Sequence, residues 1–398
     1  MNTLLERARS IQEEIVAIRR DIHAHPELGR QEARTSKLIV DTLAQYDIDR
    51  IEQPTPTSVV ATIIGTAAKD SGMNCVALRT DIDALPVLEA TGLEFASCTP
   101  GVMHACGHDI HCAMMLGNAK ILSSMKDQFG GKVKLIFQHS EDTFPGGSRD
   151  LVSHGVMQGV DAILGLHVIS SGNDKCGTIG VKDGPVTTSA DEYEFVITGP
   201  GGHGSMPHKV PDPILAAAEI IMMLQQIQAR NVAPLDASII MMNKIHGGTA
   251  PNIISDKVTM VGNARAYKPE VRKIMEETVY RIARGVEEIS GCNVEVNAAF
   301  GYDPCFNDPK LFTSVVPALK EVLGKEKVSI YDEPMAFSED FSFYSTLTGV
   351  PALFMMLEAG NMGEVRPLHN AKVTFNEEAI PYGMAAMVGS ALRLLGNK

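Results

Sequence analysis

A cluster of candidate metal ligands lies in residues 99–115, whose sequence is TPGVMHACGHDIHCAMM. Cys106 and His108 are two residues apart, and a thiolate and an imidazole with this spacing can bind one Zn²⁺-like cation if the backbone between them bends sharply. Gly107 permits that bend, and the helical spacing of the apolar residues after it predicts a helix that Asp109 caps. The same residues could instead be a buried cysteine and a hydrogen-bonded histidine, because two ligands alone do not hold a metal.

The further ligands that a metal site needs occur later in the chain. Glu141 and Asp142 follow one β-rich segment, His167 follows the next, and His369 lies on a predicted loop before the last helix. Together with the Cys-x-His pair they provide more sulfur, nitrogen and oxygen donors than one tetrahedral ion requires. A pair of divalent ions that activate a water for hydrolysis fits this set better. Thiolate and imidazole ligands favour Zn²⁺, Mn²⁺, Co²⁺ or Ni²⁺ over Mg²⁺ and Ca²⁺.

The adjacent acids Glu141 and Asp142 are predicted to have different roles. Neighbouring side chains of an extended strand point in different directions, so one acid would bind a metal and the other would remain free. A free carboxylate beside an activated water is the usual general base of metal-assisted hydrolysis.

The order of the predicted elements places these residues at one edge of a sheet. Apolar, β-rich segments predict strands at residues 75–78, 132–137 and 162–166, with helices between them. This alternation predicts a mostly parallel sheet, whose carboxyl edge carries the ligand sites. Asp81 and Asp83 follow the first of these strands and would project to the same side, although an Asp-rich turn would give the same sequence.

The N-terminal segment is predicted to be a surface helix rather than a signal peptide. Apolar residues recur there at helical spacing among charged residues, without a continuous apolar segment. The sequence HAHPE then breaks the pattern, so His23 and His25 are predicted to be loop or wall residues.

From residue 188 the pattern changes from α/β to α+β. Predicted elements in the order β-α-β-β-α-β indicate a ferredoxin-like domain at residues 188–302, inserted between two parts of a catalytic domain at residues 1–187 and 303–398. A Gly-rich loop that contains His203 follows the first strand of the insertion. The predicted fold is therefore an α/β catalytic domain with a mixed, mostly parallel sheet and an inserted ferredoxin-like domain.

Composition excludes several classes of protein. The 398-residue chain is 44% hydrophobic and 21% charged, which is typical of a globular protein. Its formal net charge of −13 argues against a nucleic-acid partner, because phosphate binding needs a basic surface. The 7 scattered cysteines indicate reduced thiols and a cytoplasmic location, and no segment reaches the roughly 18 apolar residues of a membrane span.

The chain resembles the two-metal amidohydrolases that comprise the aminoacylases, the hippurate hydrolases and the plant indole-acetyl-amino-acid hydrolases. The matching segments occur in family order over nearly the whole chain: HAHPELG (23–29), RTDIDALP (79–86), MHACGHDIH (103–111), FQHSED (137–142), GLHV (165–168), GGHGSMPH (201–208), GGTAPNII (247–254), SEDFSFY (338–344) and LHN (368–370).

The resemblance implies a catalytic domain with two metal ions and an inserted lid domain that also dimerises. It also implies roles for individual residues: Cys106, His108, His167 and His369 as metal ligands, Glu141 as general base, Asp81 as support for the ligands, His203 as the lid histidine that polarises the scissile carbonyl, and Asn252 and Arg265 as residues near the substrate carboxylate. Asp142 occupies the position of a second glutamate that is a metal ligand in the family. Because aspartate is one methylene shorter, either the backbone lies closer or that metal is held more weakly.

The predicted activity is hydrolysis of the amide bond of an N-acyl amino acid or a small related conjugate, by a homodimeric metal-dependent amidohydrolase. A dipeptidase or aminopeptidase-like activity is the nearest alternative. A thiol hydrolase with Cys106 as nucleophile and a non-catalytic metal- or ligand-binding protein remain as alternatives from other classes. A thiol hydrolase would stay active in the presence of a chelator, and a binding protein would have little use for Glu141.

Overall fold

The computed structural model describes residues 3–69 and 71–396. The strands are β1 (Arg50–Glu52), β2 (Val59–Thr66), β3 (Cys75–Asp81), β4 (Gly130–Gln138), β5 (Ala162–Ile169), β6 (Thr178–Val181), β7 (Gly184–Pro185), β8 (Asp191–Thr198), β9 (Gly202–His203), β10 (Ser238–Gly247), β11 (Ile253–Ile254), β12 (Lys257–Ala266), β13 (Asn293–Phe300), β14 (Phe306–Asn307), β15 (Val328–Ile330) and β16 (Ala352–Glu358). The helices are α1 (Leu4–Ser10), α2 (Gln12–Ala24), α3 (Ala33–Leu43), α4 (His108–Ser123), α5 (Gly147–Ser153), α6 (Pro213–Gln226), α7 (Pro269–Ser290), α8 (Pro309–Leu323), α9 (Ser342–Thr346) and α10 (Ile380–Leu394).

The described residues form two compact units, of which the first comprises residues up to 186, 306–334 and 340 onwards. Its main sheet has eight strands in the order β1-β2-β4-β3-β5-β16-β6-β15. Strand β3 runs parallel to both β4 and β5, and β5 runs parallel to β16. The carboxyl ends of these strands therefore lie at one edge of the sheet, and the predicted mixed, mostly parallel α/β sheet is confirmed.

The core of the first unit explains why its central strands are almost continuously apolar. Strands β3 and β16 are buried along their whole length, as expected for strands covered on both faces. Helix α4 is buried on nearly all sides, and it contacts α2, α10 and the strand β3. A rigid, fully packed helix thus begins at the Cys-x-His segment.

The N-terminal segment differs from its prediction in two respects. It forms two helices, α1 and α2, that are separated at Ile11. Helix α2 continues to Ala24, so the prediction of a loop at His23 is wrong: His23 is helical and only 2% exposed. The helix ends before His25, because a residue that precedes a proline disfavours the α conformation.

The second unit comprises residues 187–305 and 335–339. Its elements follow the order β8, α6, β10, β12, α7, β13, and the four strands lie in the order β10-β12-β8-β13 with antiparallel neighbours. Helices α6 and α7 contact each other and pack on the sheet, where apolar residues alternate along β8 and β12. This arrangement is the ferredoxin-like split βαβ motif.

None of the helices in residues 3–69 and 71–396 combines the length and the apolar character that crossing a membrane would require.

Candidate metal centre

The Cys-x-His pair lies where the chain enters α4. Gly107 is the residue before the helix and has a φ of 86°, a left-handed conformation that favours glycine. A Cβ atom at this position would lie 2.3 Å from the side chain of Val168, so the space also excludes a larger residue. The predicted bend at Gly107 is therefore present, and it separates Cys106 from His108 at the helix start.

The predicted ligands converge on one region of the first unit, where Cys106, His108 and His167 are buried while Asp142 is partly buried and His369 is exposed. The sulfur of Cys106 lies 3.4 Å from Nε2 of His167 and 3.3 Å from Nε2 of His369. Asp142 lies between the imidazoles of His369 and His108. Its Oδ1 is 3.6 Å from Nε2 of His369, and its Oδ2 is 3.9 Å from Nε2 of His108. Two donors of one tetrahedral zinc-like ion are about 3.4 Å apart for bonds of ~2.1 Å. The spacing of these atoms is close to that of metal ligands.

Two buried polar atoms in this region lack protein partners. Nε2 of His108 and Oδ2 of Asp142 are inaccessible and have no hydrogen-bond partner among the described residues. Leaving such atoms unsatisfied is costly, whereas a cation between them would satisfy both. The mixed sulfur, nitrogen and oxygen donors suit a borderline transition-metal ion, so the residues present fit a divalent metal site.

The protonation states of the ligands couple metal binding to pH. Burial lowers the pKa of His108, but the carboxylate of Asp81 and neighbouring groups outweigh it and hold the pKa well above the ordinary value. Burial raises the pKa of the Cys106 thiol and that of the Asp142 carboxyl. Burial also holds the pKa of His167 well below the ordinary value. A metal bound by these residues would displace protons from His108, Cys106 and Asp142, so its affinity would fall as pH falls.

The buried Cys106 thiol is a poor candidate for a nucleophile. Reactive cysteines have a lowered pKa and a partly exposed sulfur, whereas Cys106 is 5% exposed and its pKa is raised by burial. These observations argue against the thiol-hydrolase alternative.

Asp83 links His108 to Asp142, a contact that the sequence did not reveal. Nδ1 of His108 lies 2.9 Å from the backbone oxygen of Asp83 and 3.3 Å from its Oδ1. Oδ2 of Asp83 accepts the backbone N–H of Asp142 at 3.0 Å. A proton held at Nδ1 leaves Nε2 of His108 as the metal-binding atom.

Asp81 has different partners from those of Asp83. Its Oδ1 accepts from Nδ1 of His111 at 2.6 Å, and its Oδ2 accepts from Arg79 at 2.8 Å. Nε2 of His111 accepts the backbone N–H of Val168 at 2.8 Å, so Nδ1 carries the proton. Oδ2 of Asp81 lies 3.8 Å from Nε2 of His108. The sequence signal for His111 was its position three residues after His108, on the same face of α4.

Glu141 lies beside the cluster of candidate ligands, and its two carboxylate oxygens face different partners. Its Oε2 is 4.0 Å from Nε2 of His108, and its Oε1 accepts the backbone N–H of Asp340 at 3.5 Å. Glu141 is 4% exposed. A reacting group that lies between Glu141 and the imidazole of His108 would therefore be close to the Glu141 carboxylate.

A buried network holds Asp340 in place. Arg79 donates from Nη2 to Oδ1 of Asp340 at 2.9 Å and from Nε to Gln138 at 2.8 Å. The amide of Gln138 also donates to both oxygens of Asp340, at 2.8 and 2.7 Å. Because Arg79 also donates to Asp81, one buried guanidinium connects two carboxylates around the site.

Asp109 does not cap α4, so that prediction is wrong. It lies one residue inside the helix, after His108, and makes no capping hydrogen bond. Its carboxylate instead lies 2.7 Å from Nε of Arg19 and 2.8 Å from Nδ1 of His23. Pairing with the buried Arg19 and His23 on α2 outweighs the local capping preference.

The predicted lid residues lie in the second unit. His203 is exposed in β9, where it pairs with Ile253 of β11. Nδ1 of His203 accepts the backbone N–H of Ser205 at 3.2 Å, which leaves the proton on Nε2. The backbone oxygen of Asn252 accepts the N–H of Gly204 at 2.8 Å, so Asn252 and His203 lie on adjoining segments.

Arg265 lies apart from the His203 segment, on the long strand β12. Its Nη1 donates to Oγ1 of Thr188 at 3.4 Å, and the residue is partly buried. One hydrogen bond uses only part of the donor capacity of a guanidinium.

Comparisons with known proteins show which family and which relatives this chain resembles. The family described as peptidase family M20/M25/M40 matches residues 77–393. The chain is 40% identical over 297 residues to an N-acyl-L-amino acid amidohydrolase of Geobacillus stearothermophilus, covering 75% of this chain and 79% of the relative. It is 37% identical to thermostable carboxypeptidase 1 of Saccharolobus solfataricus, covering 95% and 94%. A dinuclear metal-binding peptidase of the M20 family from Bacillus subtilis has a similar structure, with a TM-score of 0.83, 31% identity and coverage of 98% and 100%.

Proposed function

Because this chain belongs to peptidase family M20/M25/M40, we propose that it is a metal-dependent amidohydrolase that cleaves the amide bond of N-acyl amino acids or small related conjugates. The observation that carries this conclusion is the convergence of sulfur, nitrogen and oxygen donors around Cys106, with the carboxylate of Glu141 beside them. The relative named N-acyl-L-amino acid amidohydrolase supports the substrate class.

Two divalent ions per subunit, of Zn²⁺, Mn²⁺, Co²⁺ or Ni²⁺, would be held by Cys106, His108, Asp142, His167 and His369. The support for this proposal is the spacing of their donor atoms and the unsatisfied atoms of His108 and Asp142. When bound, such ions polarise the scissile carbonyl and lower the pKa of water.

The carboxylates of the chain have two roles in this proposal: one transfers the proton and the others hold the candidate ligands. Glu141 takes the proton from the attacking water and returns it to the leaving amine, and the backbone N–H of Asp340 orients its carboxylate. The backbone oxygen of Asp83 accepts the Nδ1 proton of His108, and its carboxylate accepts the backbone N–H of Asp142. Asp81 supports the same region by holding His111.

We further propose that residues 188–302 act as an inserted lid between the catalytic segments 1–187 and 303–398. The proton on Nε2 of His203 would stabilise the tetrahedral oxyanion. Arg265 suits bidentate binding of the substrate carboxylate, and Asn252 would contribute an amide on the segment beside His203.

The same domain is proposed to form a homodimer. Strand β10 lies at the edge of its sheet and leaves backbone groups unpaired. On the sheet face that points away from the helices, Ile239 and Met241 are 46 and 47% exposed. Exposed apolar side chains beside an unpaired strand edge suit an interface with a second copy of the chain.

A second candidate function is removal of an amino acid from a short peptide. It is favoured by the relative named thermostable carboxypeptidase 1, and a site that binds a free carboxylate and hydrolyses an amide could serve both reactions. Comparing acetyl, benzoyl and indole-acetyl amino acids with dipeptides would separate the two functions.

The test uses metal-stripped protein and the same protein reloaded with each candidate ion. We expect hydrolysis of N-acyl amino acids only after reloading, with dipeptides turned over more slowly. Full activity in protein that elemental analysis shows to be metal-free would contradict the proposed function. Metal binding without turnover of any substrate would favour the non-catalytic alternative.

A further inference from the structure

The residue before the proposed general base has an unusual backbone conformation. Ser140 has a φ of 53°, in the left-handed region that side-chain-bearing residues rarely adopt. Glu141 and Asp142 follow it directly, so the direction of both carboxylates depends on this conformation. A strained residue of this kind persists only where its surroundings hold it.

Glu32 holds Ser140 from outside the turn. The backbone N–H of Ser140 donates to Oε1 of Glu32 at 2.8 Å, and Glu32 is fully buried. The backbone oxygen of Ser140 accepts the N–H of Gly147 at 2.9 Å. Both backbone polar groups of the strained residue are therefore satisfied by fixed partners.

The segment that carries Glu32 also contacts the second turn of the site. The backbone oxygen of Glu27 accepts the N–H of Ala84 at 2.8 Å, and Leu28 forms a parallel bridge with Ala84. Ala84 follows Asp83, which holds His108 and Asp142. The chain from Glu27 to Glu32 therefore joins the turn after β3 to the turn after β4.

Packing between this segment and Ser140 is close. A Cβ atom on Gly29 would lie 2.9 Å from Oγ of Ser140 and 3.2 Å from its Cα. Close approach of the two backbones keeps water away from the Ser140 amide. With water excluded, that N–H depends on Glu32 for its hydrogen bond, and losing the acceptor would leave a buried donor unsatisfied.

We propose that Glu32 is a positioning residue for the general base: by accepting the N–H of Ser140, it fixes the turn that directs the carboxylate of Glu141 at the reacting water. The proposal rests on the proposed function. Without this acceptor the turn relaxes towards ordinary backbone angles and rotates Glu141 away from its position. Misplacement of a reacting group by about 1 Å can cost on the order of 10²-fold in rate.

The acceptor atom, rather than the charge, is the essential feature of Glu32. Burial raises the pKa of its carboxyl, and its second oxygen has no hydrogen-bond partner among the described residues. The amide oxygen of glutamine could accept the same N–H. Glu32→Gln should therefore keep most of the activity, whereas Glu32→Ala, fully reloaded with metal, should show a kcat about 10²-fold lower with KM unchanged.

A matched control removes a carboxylate of the same kind elsewhere. Asp161 accepts the backbone N–H groups of Asn74 and Cys75 at the opposite end of β3, at 2.6 and 3.0 Å. Asp161→Ala should lower stability but leave kcat within about threefold, because Asp161 touches neither turn of the site. Glu32→Met, which fills the space without an acceptor oxygen, replaces Glu32→Ala if the alanine variant does not fold.

Hydrogen exchange at Ser140 in the metal-loaded enzyme provides a readout that does not depend on activity. The amide should exchange slowly in the parent protein and in Glu32→Gln, and at least tenfold faster in Glu32→Ala or Glu32→Met. Near-normal kcat in folded, metal-loaded Glu32→Ala or Glu32→Met would overturn the positioning role while leaving the amidohydrolase function intact. Slow exchange at Ser140 in a parent protein that has no amidase activity, with faster exchange in Glu32→Ala or Glu32→Met, would instead overturn the proposed function and leave the contact established.

Discussion

Nδ1 of His108 lies 2.9 Å from the backbone oxygen of Asp83, and this contact decides which imidazole nitrogen of His108 can bind a metal. The carboxylate of Asp83 lies beside the same Nδ1 and also accepts the backbone N–H of Asp142. Asp83, which touches no substrate in our proposal, therefore orients one nitrogen donor and one oxygen donor of the proposed metal site together.

Replacement of Asp83 by asparagine should weaken metal binding. Asp83→Asn keeps the backbone contact to His108 but removes the negative charge beside Nδ1 and exchanges one acceptor oxygen for an amide donor. Loss of such a supporting carboxylate typically lowers metal affinity by about 10- to 100-fold. Calorimetric titration of metal-stripped protein would measure it. Unchanged affinity at both sites would mean that the backbone oxygen alone orients His108.

The variant Glu141→Gln should retain its fold and metal but lose at least ~10²-fold in kcat, because the amide cannot accept the proton of the water. Steady-state kinetics and elemental analysis of the same sample would test this. Glu364→Gln is the control, because Glu364 pairs only with the nearby Arg366 on the surface. Near-normal turnover by Glu141→Gln would place the general base elsewhere.

Mixing two inactive variants should restore activity if the lid histidine acts across the dimer. Neither His203→Ala nor Glu141→Gln alone would be active, but a heterodimer would contain one site with an intact His203 and an intact Glu141. Recovery of up to about half of the activity per heterodimer is expected, since one of its two sites is complete. A purified heterodimer that stays inactive would show that His203 serves its own subunit or has no catalytic role.

Asp142 should bind its metal as tightly as the other ligands hold theirs, despite its short side chain. Its two oxygens lie 3.6 and 3.9 Å from the imidazoles of His369 and His108, close to the roughly 3.4 Å expected for two ligands of one ion. We therefore expect Asp142→Asn to lose one ion and Asp142→Glu to bring no gain, because the longer chain must be accommodated in a filled site. A tenfold tighter second site in Asp142→Glu, measured by metal titration, would mean that the aspartate reaches poorly.

The alternation of strands and helices was readable from local patterns because apolar periodicity and β-rich segments depend on nearby residues. That alternation determined that the ends of β3, β4 and β5 meet at one edge. The sharp bend at Gly107 was also predictable, since two converging donors at this spacing require one, and the structure shows that it is left-handed. The family resemblance proposed most of the candidate ligands residue by residue, and the tertiary structure brings those residues together.

Other features depended on contacts between segments distant in sequence, which no local pattern encodes. The sequence placed Asp81 and Asp83 on one side of the sheet, but only packing against α4 and the β4 turn decided that Asp83 contacts His108 while Asp81 contacts His111. From the sequence, Asp109 was a plausible helix cap, but in the fold its carboxylate pairs with the buried Arg19 and His23 of α2. Glu32 reads as one more acid near a helix start, and its role at Ser140 follows from a contact across 108 residues of chain. The sequence by itself thus determined which donors are available and which strands carry them, and the tertiary structure decided their orientation, because buried polar groups take whichever partners the fold brings within hydrogen-bond distance.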